Sequence, residues 1–357
     1  MIRVGITIGD INGIGPEIII KALRDHRILQ DFIPIVYGST KTMSYHKKAI
    51  NDEEFVYQSC KSATEAVSKK VNIVNLWNEE ISFNLGQSTE IGGKYAFLSL
   101  EKATEDLASN KIDVLVTAPI SKEGIIKSGF KFSGHTEYLA HLSNTDEALM
   151  LMVNGNLRVA LVTTHIALKD VSSNLTKEKI LTKIKMLENS LKKDFCIIKP
   201  KIAIFGLNPH AGENSKMGDE EENIIIPAIQ QAKFEKILAF GPYPADSFFA
   251  SSNINQFDGI LAMYHDQGLT AFKALAFDEG VNYTAGLPIV RTSPDHGTAF
   301  DIAGKNKASE QSFRIAIYLA IDIYKNRKFI KEISSNPLPF SNENTKKKST
   351  HKKEEIE

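Results

Sequence analysis

Fold class is indicated first by the segment Ile2-Arg-Val-Gly-Ile-Thr-Ile-Gly-Asp-Ile-Asn-Gly-Ile-Gly-Pro-Glu17. Branched apolar residues alternate over residues 2–8, which predicts a strand, and Pro16 and Glu17 suit the first turn of a helix. The glycines of the loop between them do not have the GxGxxG spacing, because isoleucine stands at position 18 where the third glycine would fall. This segment therefore predicts an α/β fold other than a standard Rossmann fold.

Further along the chain, short runs rich in Val and Ile alternate with helical patterns. Strands are predicted at 2–8, 33–37, 72–76, 113–117, 158–163, 201–206 and 259–264, and helices at 16–23, 90–109, 176–193 and 308–325. Such alternation is typical of a sheet covered by helices. We predict a two-domain α/β/α sandwich, in which residues 1–128 and 271–335 build one discontinuous domain and residues 129–270 build the other.

Composition limits the class of protein. The chain has 357 residues, enough for two ordinary domains, and its 43 Lys and Arg balance 43 Asp and Glu. We therefore expect no nucleic-acid or membrane partner held by a basic surface. Two cysteines, no signal-peptide pattern and no bilayer-length apolar stretch predict a cytoplasmic protein. Residues 341–357 contain one apolar side chain among many charges, which predicts a disordered tail.

Three histidines each follow a predicted strand, namely His165, His210 and His265. In open α/β sheets functional groups gather where strands end, so residues far apart in sequence can meet. We predict that the three imidazoles are ligands of one metal ion. Each histidine taken alone has a simpler explanation as a residue that merely caps a strand.

Three further polar segments follow strands or begin helices. The first, Thr117-Ala-Pro-Ile-Ser-Lys122, comes directly after a predicted strand. The second segment surrounds His135 and Thr136, where Thr136 can cap a helix while the His135 side chain reaches a ligand. The third segment surrounds Asp246, which lies in a loop between prolines and aromatic residues. A plain helix start and a solvated turn are the alternatives for the last two segments.

Residues 258–305 are the densest polar region of the chain. Glycine, proline, asparagine and arginine alternate there with apolar residues, as expected where backbone and side chains converge on a ligand with several oxygens. Arg291 can bind carboxylate or phosphate through two parallel hydrogen bonds, and Lys273 can act as a point charge. Surface salt bridges are the alternative for both cations.

With these segments the chain resembles the 4-hydroxythreonine-4-phosphate dehydrogenase family of pyridoxal phosphate biosynthesis over nearly its whole length. The motifs that carry the resemblance are Gly9-Asp10 with Gly13-Ile-Gly-Pro-Glu17, Thr117-Ala-Pro-Ile120, Gly134-His-Thr-Glu137, Thr164-His165, Leu207-Asn-Pro-His-Ala-Gly-Glu213, Pro244-Ala-Asp246, Tyr264-His-Asp-Gln-Gly268, and Val281-Asn282 through Asp295-His-Gly-Thr-Ala299. Two of these motifs are also similar to loops of isopropylmalate and isocitrate dehydrogenases. This similarity implies that the chain has the fold of those dehydrogenases.

The resemblance implies a homodimer whose subunits share metal ligands. It implies NAD or NADP as cofactor and one divalent metal, zinc in the first place and magnesium or cobalt as alternatives. The implied residues are His165, His210 and His265 for the metal, His135, Thr136, Lys273, Asn282 and Arg291 for the substrate, and Thr292, Gly297, Thr298 and Asp301 for the cofactor. We expect the discontinuous domain to bind the cofactor. We expect residues 129–270 to supply the metal ligands and the dimer contact.

The implied reaction is oxidation of 4-phosphooxy-L-threonine to a 2-amino-3-oxo acid, which decarboxylates to 3-amino-2-oxopropyl phosphate. Asp246 and Asp266 are the candidates for a general base and for a carboxylate that orients a metal ligand. One alternative is a related dehydrogenase that acts on 4-phospho-threonate or a diol acid. Another is a protein that binds a metal or a phosphoacid on a dehydrogenase scaffold without catalysis.

Overall fold

A computed structural model describes residues 1–132, 134–145 and 147–336. The tail predicted at 341–357 lies outside this part of the chain. The strands within it are Ile2–Thr7 (β1), Phe32–Gly38 (β2), Tyr57–Cys60 (β3), Val71–Asn75 (β4), Val114–Thr117 (β5), Leu149–Asn154 (β6), Leu157–Leu161 (β7), Lys201–Phe205 (β8), Leu238–Tyr243 (β9), Gly259–Ala262 (β10), Val281–Ala285 (β11) and Arg291–Pro294 (β12).

Helices separate most of these strands. They are Gly15–Leu23 (α1), Thr40–Ala49 (α2), Glu90–Ala108 (α3), Lys122–Lys127 (α4), His135–Leu142 (α5), Lys177–Lys193 (α6), Ile226–Phe234 (α7), Ala245–Phe249 (α8), His265–Ala276 (α9) and Gln311–Ser334 (α10). Among the described residues, no helix combines the length and the apolar character needed to cross a membrane.

All twelve strands belong to one sheet, in the order β3-β4-β2-β1-β5-β12-β11-β6-β7-β10-β8-β9. In this sheet order, the six strands from β3 to β12 are mutually parallel, and so are the four strands from β7 to β9. Between these two blocks, β11 and β6 pair antiparallel with each other and with their outer neighbours. Since three antiparallel pairings separate the blocks, the two blocks run in opposite directions.

The two faces of the sheet are covered differently. On what we call the first face, a single hydrophobic core joins α1, α6, α7 and α10 to strands of both blocks. The second face carries two separate cores, one under α3, α4 and α5 and the other under α8 and α9. Because strand side chains alternate between faces, Leu115 joins a second-face core while Val114 and Val116 join the first. A gap therefore remains on the second face, over β5, β12, β11 and β6.

The predicted α/β class is confirmed, as are all seven predicted strands and all four predicted helices. Five strands were missed, namely β3, β6, β9, β11 and β12. The reason is clearest for β12, whose sequence Arg-Thr-Ser-Pro contains no large apolar residue although it is buried. A strand that presents polar groups to a cavity lacks the apolar pattern on which the prediction depends.

The strands of each proposed domain are neighbours in the sheet. Seven neighbouring strands, from β3 to β11 in sheet order, come from residues 1–128 and 271–335. The other five, from β6 to β9, come from residues 129–270. The sheet is continuous across the boundary, so the division into two domains stays a prediction.

Candidate active site

A cavity of about 460 Å³ fills the gap on the second face. Its floor is built by β5, β12, β11 and β6, one wall by α5 and the loop after β5, and the other wall by α9. The five residues predicted to bind substrate all line it, and they are His135, Thr136, Lys273, Asn282 and Arg291. The fold thus brings together side chains from α5, α9, β11 and β12 that lie far apart in sequence.

Arg291 is the buried cation of the floor, with 3% of its surface exposed. Its Nε and Nη2 donate to Thr117 Oγ1 at 3.1 and 2.6 Å, and its Nη1 donates to Thr284 Oγ1 at 3.1 Å. Burial lowers the pKa of the guanidinium to about 10, which still leaves it charged at neutral pH. The floor therefore carries a positive charge that favours an anionic ligand.

Two buried polar atoms near this cation have no partner among the described residues. They are His135 Nε2 and Asn282 Oδ1. Burial, with a smaller contribution from the nearby Arg291 charge, holds the pKa of His135 well below its usual value, so the imidazole is neutral. A buried polar atom without a hydrogen bond costs free energy unless a ligand or water supplies one. Both atoms are thus suited to bind a polar substrate.

Lys273 lies on the opposite wall and pairs with Asp295. Its Nζ is 2.9 Å from Asp295 Oδ1 and donates to the Asp295 carbonyl at 3.1 Å. Burial raises the pKa of Asp295, and the lysine partly offsets this effect. The neighbouring His296 also lines the cavity, and its buried Nε2 has no partner among the described residues.

His165 and His265 meet at one end of the cavity, with ring centroids 6.1 Å apart. Asp266 Oδ1 is 2.7 Å from His265 Nδ1, which leaves Nε2 of that ring available as a ligand. Burial, followed by the nearby charge of Lys122, lowers the pKa of His165, and this favours the neutral imidazole that a metal requires. Asp266 therefore occupies the position of an orienting carboxylate.

The structure does not bring His210 to this cavity within its own chain. It lies in the loop after β8, where His210 and Ala211 have φ values of 53° and 50° and Glu213 one of 43°. Within residues 1–132, 134–145 and 147–336, no group of three His, Cys, Asp or Glu side chains is arranged to hold a metal. Of the three predicted metal ligands, the structure therefore brings only His165 and His265 together within the described part of the chain.

The remaining predicted residues divide between the cavity and its surroundings. Gly297 lines the cavity, whereas Asp246 and Asp301 are exposed and do not line it. Thr292 is fully buried and its hydroxyl donates to the Ala316 carbonyl of α10, so its side chain lies on the first face. Residues adjacent on a strand point to opposite faces, and Arg291 and Thr292 therefore cannot both face the cavity.

Thr298 connects the predicted cofactor loop to the first loop of the chain. Its carbonyl accepts a hydrogen bond from Ile14 N at 3.0 Å. A Cβ atom at Gly13 would lie 2.9 Å from the same carbonyl oxygen, so only glycine permits this contact without a shift. The two glycine-containing loops that resemble dehydrogenase loops are thus in direct contact.

Several cavity residues were not predicted as site residues, namely Lys122, Glu137, Ser293, Asp295 and His296. Asp295 and His296 follow β12 directly, so the strand-end argument applied to the histidines could have found them if β12 had been recognised. Glu137 follows two predicted residues on the first turn of α5, and this proximity was its only signal in the sequence.

Asp10, in the loop after β1, is a buried carboxyl group whose effect on stability depends on pH. Its carboxyl group is fully buried, Oδ1 accepts from Asn12 N at 2.9 Å, and Oδ2 has no partner among the described residues. Burial raises its pKa from 3.8 to about 6. Because the folded-state pKa is the higher one, this carboxyl favours folding most below pH 4, and that contribution is lost as pH rises through 6.

We therefore expect Asp10→Asn to gain stability relative to the wild type by about 3 kcal/mol between pH 4 and pH 8. The measurement is the free energy of unfolding in urea at both pH values. The control is Asp278→Asn, because Asp278 is exposed and forms no ion pair among the described residues. An Asp10→Asn advantage that does not change with pH would contradict the raised pKa.

The chain is similar in sequence to one known protein family. The family described as pyridoxal phosphate biosynthetic protein PdxA matches residues 30–320. The chain belongs to this family. A PdxA-family relative, the 4-hydroxythreonine-4-phosphate dehydrogenase of Bacteroides thetaiotaomicron, is 49% identical over 338 residues, which cover 94% of this chain and 93% of the relative. The family resemblance inferred from the motifs is confirmed.

Two further comparisons concern fold and substrate. A crystal structure of the PdxA-family 4-hydroxythreonine-4-phosphate dehydrogenase from Klebsiella pneumoniae superimposes with a TM-score of 0.78 at 35% identity, covering 90% of this chain and 98% of that one. A relative from Oceanobacillus iheyensis is 41% identical over 325 residues, covering 90% of this chain and 97% of the relative. It is provisionally named a D-threonate 4-phosphate dehydrogenase. The two relatives therefore carry different substrate names.

Proposed function

We propose that this chain is an oxidoreductase that oxidises 4-phosphooxy-L-threonine with NAD or NADP. The 2-amino-3-oxo acid formed loses carbon dioxide and yields 3-amino-2-oxopropyl phosphate, a step of pyridoxine 5'-phosphate and vitamin B6 biosynthesis. The observation that carries the proposal is one cavity that unites a buried arginine, a lysine, two unpartnered polar atoms and a histidine pair. Membership in the PdxA family supports the same class of reaction.

Charge complementarity supports this substrate. It carries a phosphate at one end, a carboxylate at the other, and an amino and a hydroxyl group between them. Arg291 on the floor and Lys273 on the α9 wall supply two separate cationic groups for the two anionic ends. His135 Nε2 and Asn282 Oδ1 supply polar atoms for the groups between them. These side chains would hold the substrate in one orientation.

The donor set at the histidine end fits a divalent metal, zinc being the first choice. His165 and His265 supply two imidazoles, and Asp266 orients one of them. We propose that the third ligand is His210 of the partner subunit in a homodimer, since His210 lies outside the cavity of its own chain. When bound, such a metal lowers the pKa of the substrate hydroxyl and stabilises the negative charge left by decarboxylation.

The predicted cofactor loop fits a dinucleotide beside this site. Apart from the chain neighbours of Gly297, no atom of the described residues lies within 4 Å of the position that a Cβ there would take, and the buried His296 Nε2 lacks a partner among the same residues. NAD or NADP, when bound, accepts the hydride from the substrate. Thr298 and Asp301 stay candidates for cofactor contacts, and the choice between NAD and NADP and the cytoplasmic location stay predictions.

A base must take the proton of the substrate hydroxyl. Asp266 is hydrogen-bonded to His265, which favours an orienting role for it. Asp246 is exposed and does not line the cavity of its own chain. It serves as the general base in our proposal only if the partner subunit supplies it.

Activity assays decide the substrate. With a divalent metal and either NAD or NADP, we expect kcat/KM for 4-phosphooxy-L-threonine to exceed that for D-threonate 4-phosphate by at least about 10-fold, since a site that binds an amino group discriminates against a hydroxyl in its place. The measurement is NADH or NADPH formation at 340 nm, with chelator-treated protein as the control.

Two results would change the assignment. Faster turnover of D-threonate 4-phosphate would favour the alternative that the relative from Oceanobacillus iheyensis suggests. If pure protein with metal reduced neither cofactor with either substrate, the chain would instead be a binding protein on a dehydrogenase scaffold.

A further inference from the structure

Among the described residues, the buried guanidinium of Arg291 donates hydrogen bonds to hydroxyl groups alone. β12 lies between β5 and β11 in the sheet, and each neighbour contributes one threonine to Arg291. Thr117 accepts from Nε and Nη2, and Thr284 accepts from Nη1. Arg291 forms no ion pair with any acidic side chain among the described residues. Burial lowers the pKa of Arg291, and the charge of Glu137, which lines the same cavity, partly offsets this effect.

Arg327, a partly buried arginine of the same chain, has a different environment. Arg327 Nε lies 2.6 Å from Asp194 Oδ1, and its Nη2 donates to Tyr283 at 2.8 Å. A carboxylate neutralises this cation in the usual way for buried charges. Arg327 is thus paired with a buried carboxylate, whereas the more deeply buried Arg291 is bound by hydroxyl groups.

The hydroxyls have a specific physical consequence. A guanidinium has five N–H donors, and the three hydrogen bonds to the threonines leave one N–H on Nη1 and one on Nη2. Such a pair can hold two oxygens of one phosphate or carboxylate. Because a neutral hydroxyl accepts a hydrogen bond without adding negative charge, the full charge of Arg291 remains for the ligand.

We propose that Thr117 and Thr284 are positioning residues, which fix the direction of the Arg291 guanidinium and leave its charge free for an oxyanion group of the substrate. The identity of the substrate rests on the proposed function, whereas the positioning of Arg291 does not. A hydroxyl pair would thus set affinity for the anionic group without touching the reacting carbon.

The test measures binding of inorganic phosphate and of acetate by calorimetry, together with KM and kcat. Arg291→Ala identifies which probe the guanidinium binds. For that probe we expect Thr117→Val, which loses two hydrogen bonds, to weaken binding about 10-fold or more, and Thr284→Val to weaken it about 3-fold to 10-fold. KM should rise by similar factors while kcat falls less, and Thr117→Ser should restore most of the affinity.

A charge variant and a matched control separate positioning from general packing. Thr284→Asp places a carboxylate beside the guanidinium and should abolish probe binding while the far-ultraviolet circular dichroism stays that of the wild type. Thr104→Val is the control, because Thr104 is a buried threonine of α3 whose hydroxyl bonds only to the Glu101 carbonyl and to Tyr138, outside the cavity. It should leave probe binding and KM unchanged.

Each outcome bears on the proposal. Wild-type probe affinity in Thr117→Val or in folded Thr284→Asp would overturn it, and so would binding of both probes that is independent of Arg291. If the probe results agree with expectation but 4-phosphooxy-L-threonine is not oxidised, the proposed function fails and the positioning role stands. If the substrate is oxidised with unchanged KM in Thr117→Val, the positioning role fails and the proposed function stands.

Discussion

Alanine at His265 is expected to reduce kcat/KM by about 10³-fold or more and to remove most of the bound metal. His265 lies beside His165 in the cavity and is oriented by Asp266. Loss of a metal that supplies about 4 kcal/mol of charge stabilisation corresponds to this factor. The same result is expected for His165→Ala and His210→Ala. Metal content by mass spectrometry and steady-state kinetics are the two measurements.

The control for these variants is His26→Ala, which removes an exposed histidine that does not line the cavity. It should leave metal content and kcat/KM at wild-type values. Full metal occupancy in one of the three variants would exclude that histidine from the site. Loss of the native circular dichroism spectrum would instead indicate a folding defect.

Mixed dimers test whether the partner subunit supplies His210. In our proposal, a dimer of one His210→Ala chain and one His265→Ala chain contains one site with all three histidines. Mixing the two inactive variants under conditions of subunit exchange should therefore restore activity. If all three ligands came from one chain, each site of the mixed dimer would lack a histidine and no activity would return.

Alanine at Asp194 is expected to lower the free energy of unfolding by about 3–5 kcal/mol, the usual cost of removing one partner from a buried ion pair. Its side chain is 3% exposed, with Arg327 Nε at 2.6 Å from one oxygen and the Tyr283 and Ser190 hydroxyls at 2.7 Å from the other. The substitution leaves the buried Tyr283 hydroxyl and Nε of the partly buried Arg327 without their acceptor. Urea denaturation measures the loss.

Glu123→Ala is the control, because Glu123 also belongs to an ion pair, with Lys127, but at the protein surface. Its unfolding midpoint should be close to that of the wild type. In the double variant Asp194→Ala with Arg327→Ala, the loss should be smaller than the sum of the two single losses, since no buried charge is left unpaired. A wild-type midpoint for Asp194→Ala would contradict this account.

The Asp194 cluster also supports the site. It joins α6, α10 and β11, and Tyr283 of β11 is the direct neighbour of Asn282 on the cavity floor. Since adjacent strand residues face opposite sides, a bond that holds Tyr283 on the first face also keeps Asn282 on the second. A decrease in substrate affinity is therefore expected to accompany the loss of stability.

The site could be predicted from sequence only in part. His165 and His265 do meet, as their positions after two predicted strands suggested, because β7 and β10 are parallel neighbours. His210 also follows a strand, β8, which pairs with β10. The loop after β8, however, contains several residues in the left-handed conformation, and His210 does not line the cavity. Such loop paths depend on contacts that strand and helix patterns do not contain.

The predicted pair Arg291 and Thr292 shows a second limit. Arg291 was assigned to the substrate from its chemistry and Thr292 to the cofactor from the family resemblance, but they are neighbours on β12 and face opposite sides of the sheet. The apolar pattern did not reveal β12, so the alternation of its side chains could not be applied. Polar residues that line a cavity floor conceal the strand that carries them.

Local patterns were thus sufficient for the α/β class, seven strands, four helices and the family of the chain, because residue chemistry and periodicity along one segment encode these properties. The position of the site was decided by the tertiary structure alone. The antiparallel pairings of β11 and β6 reverse the direction of half the sheet, so the strand ends of the two blocks do not share one edge. The functional side chains meet on a face of the sheet instead, since strand direction depends on pairing between distant segments.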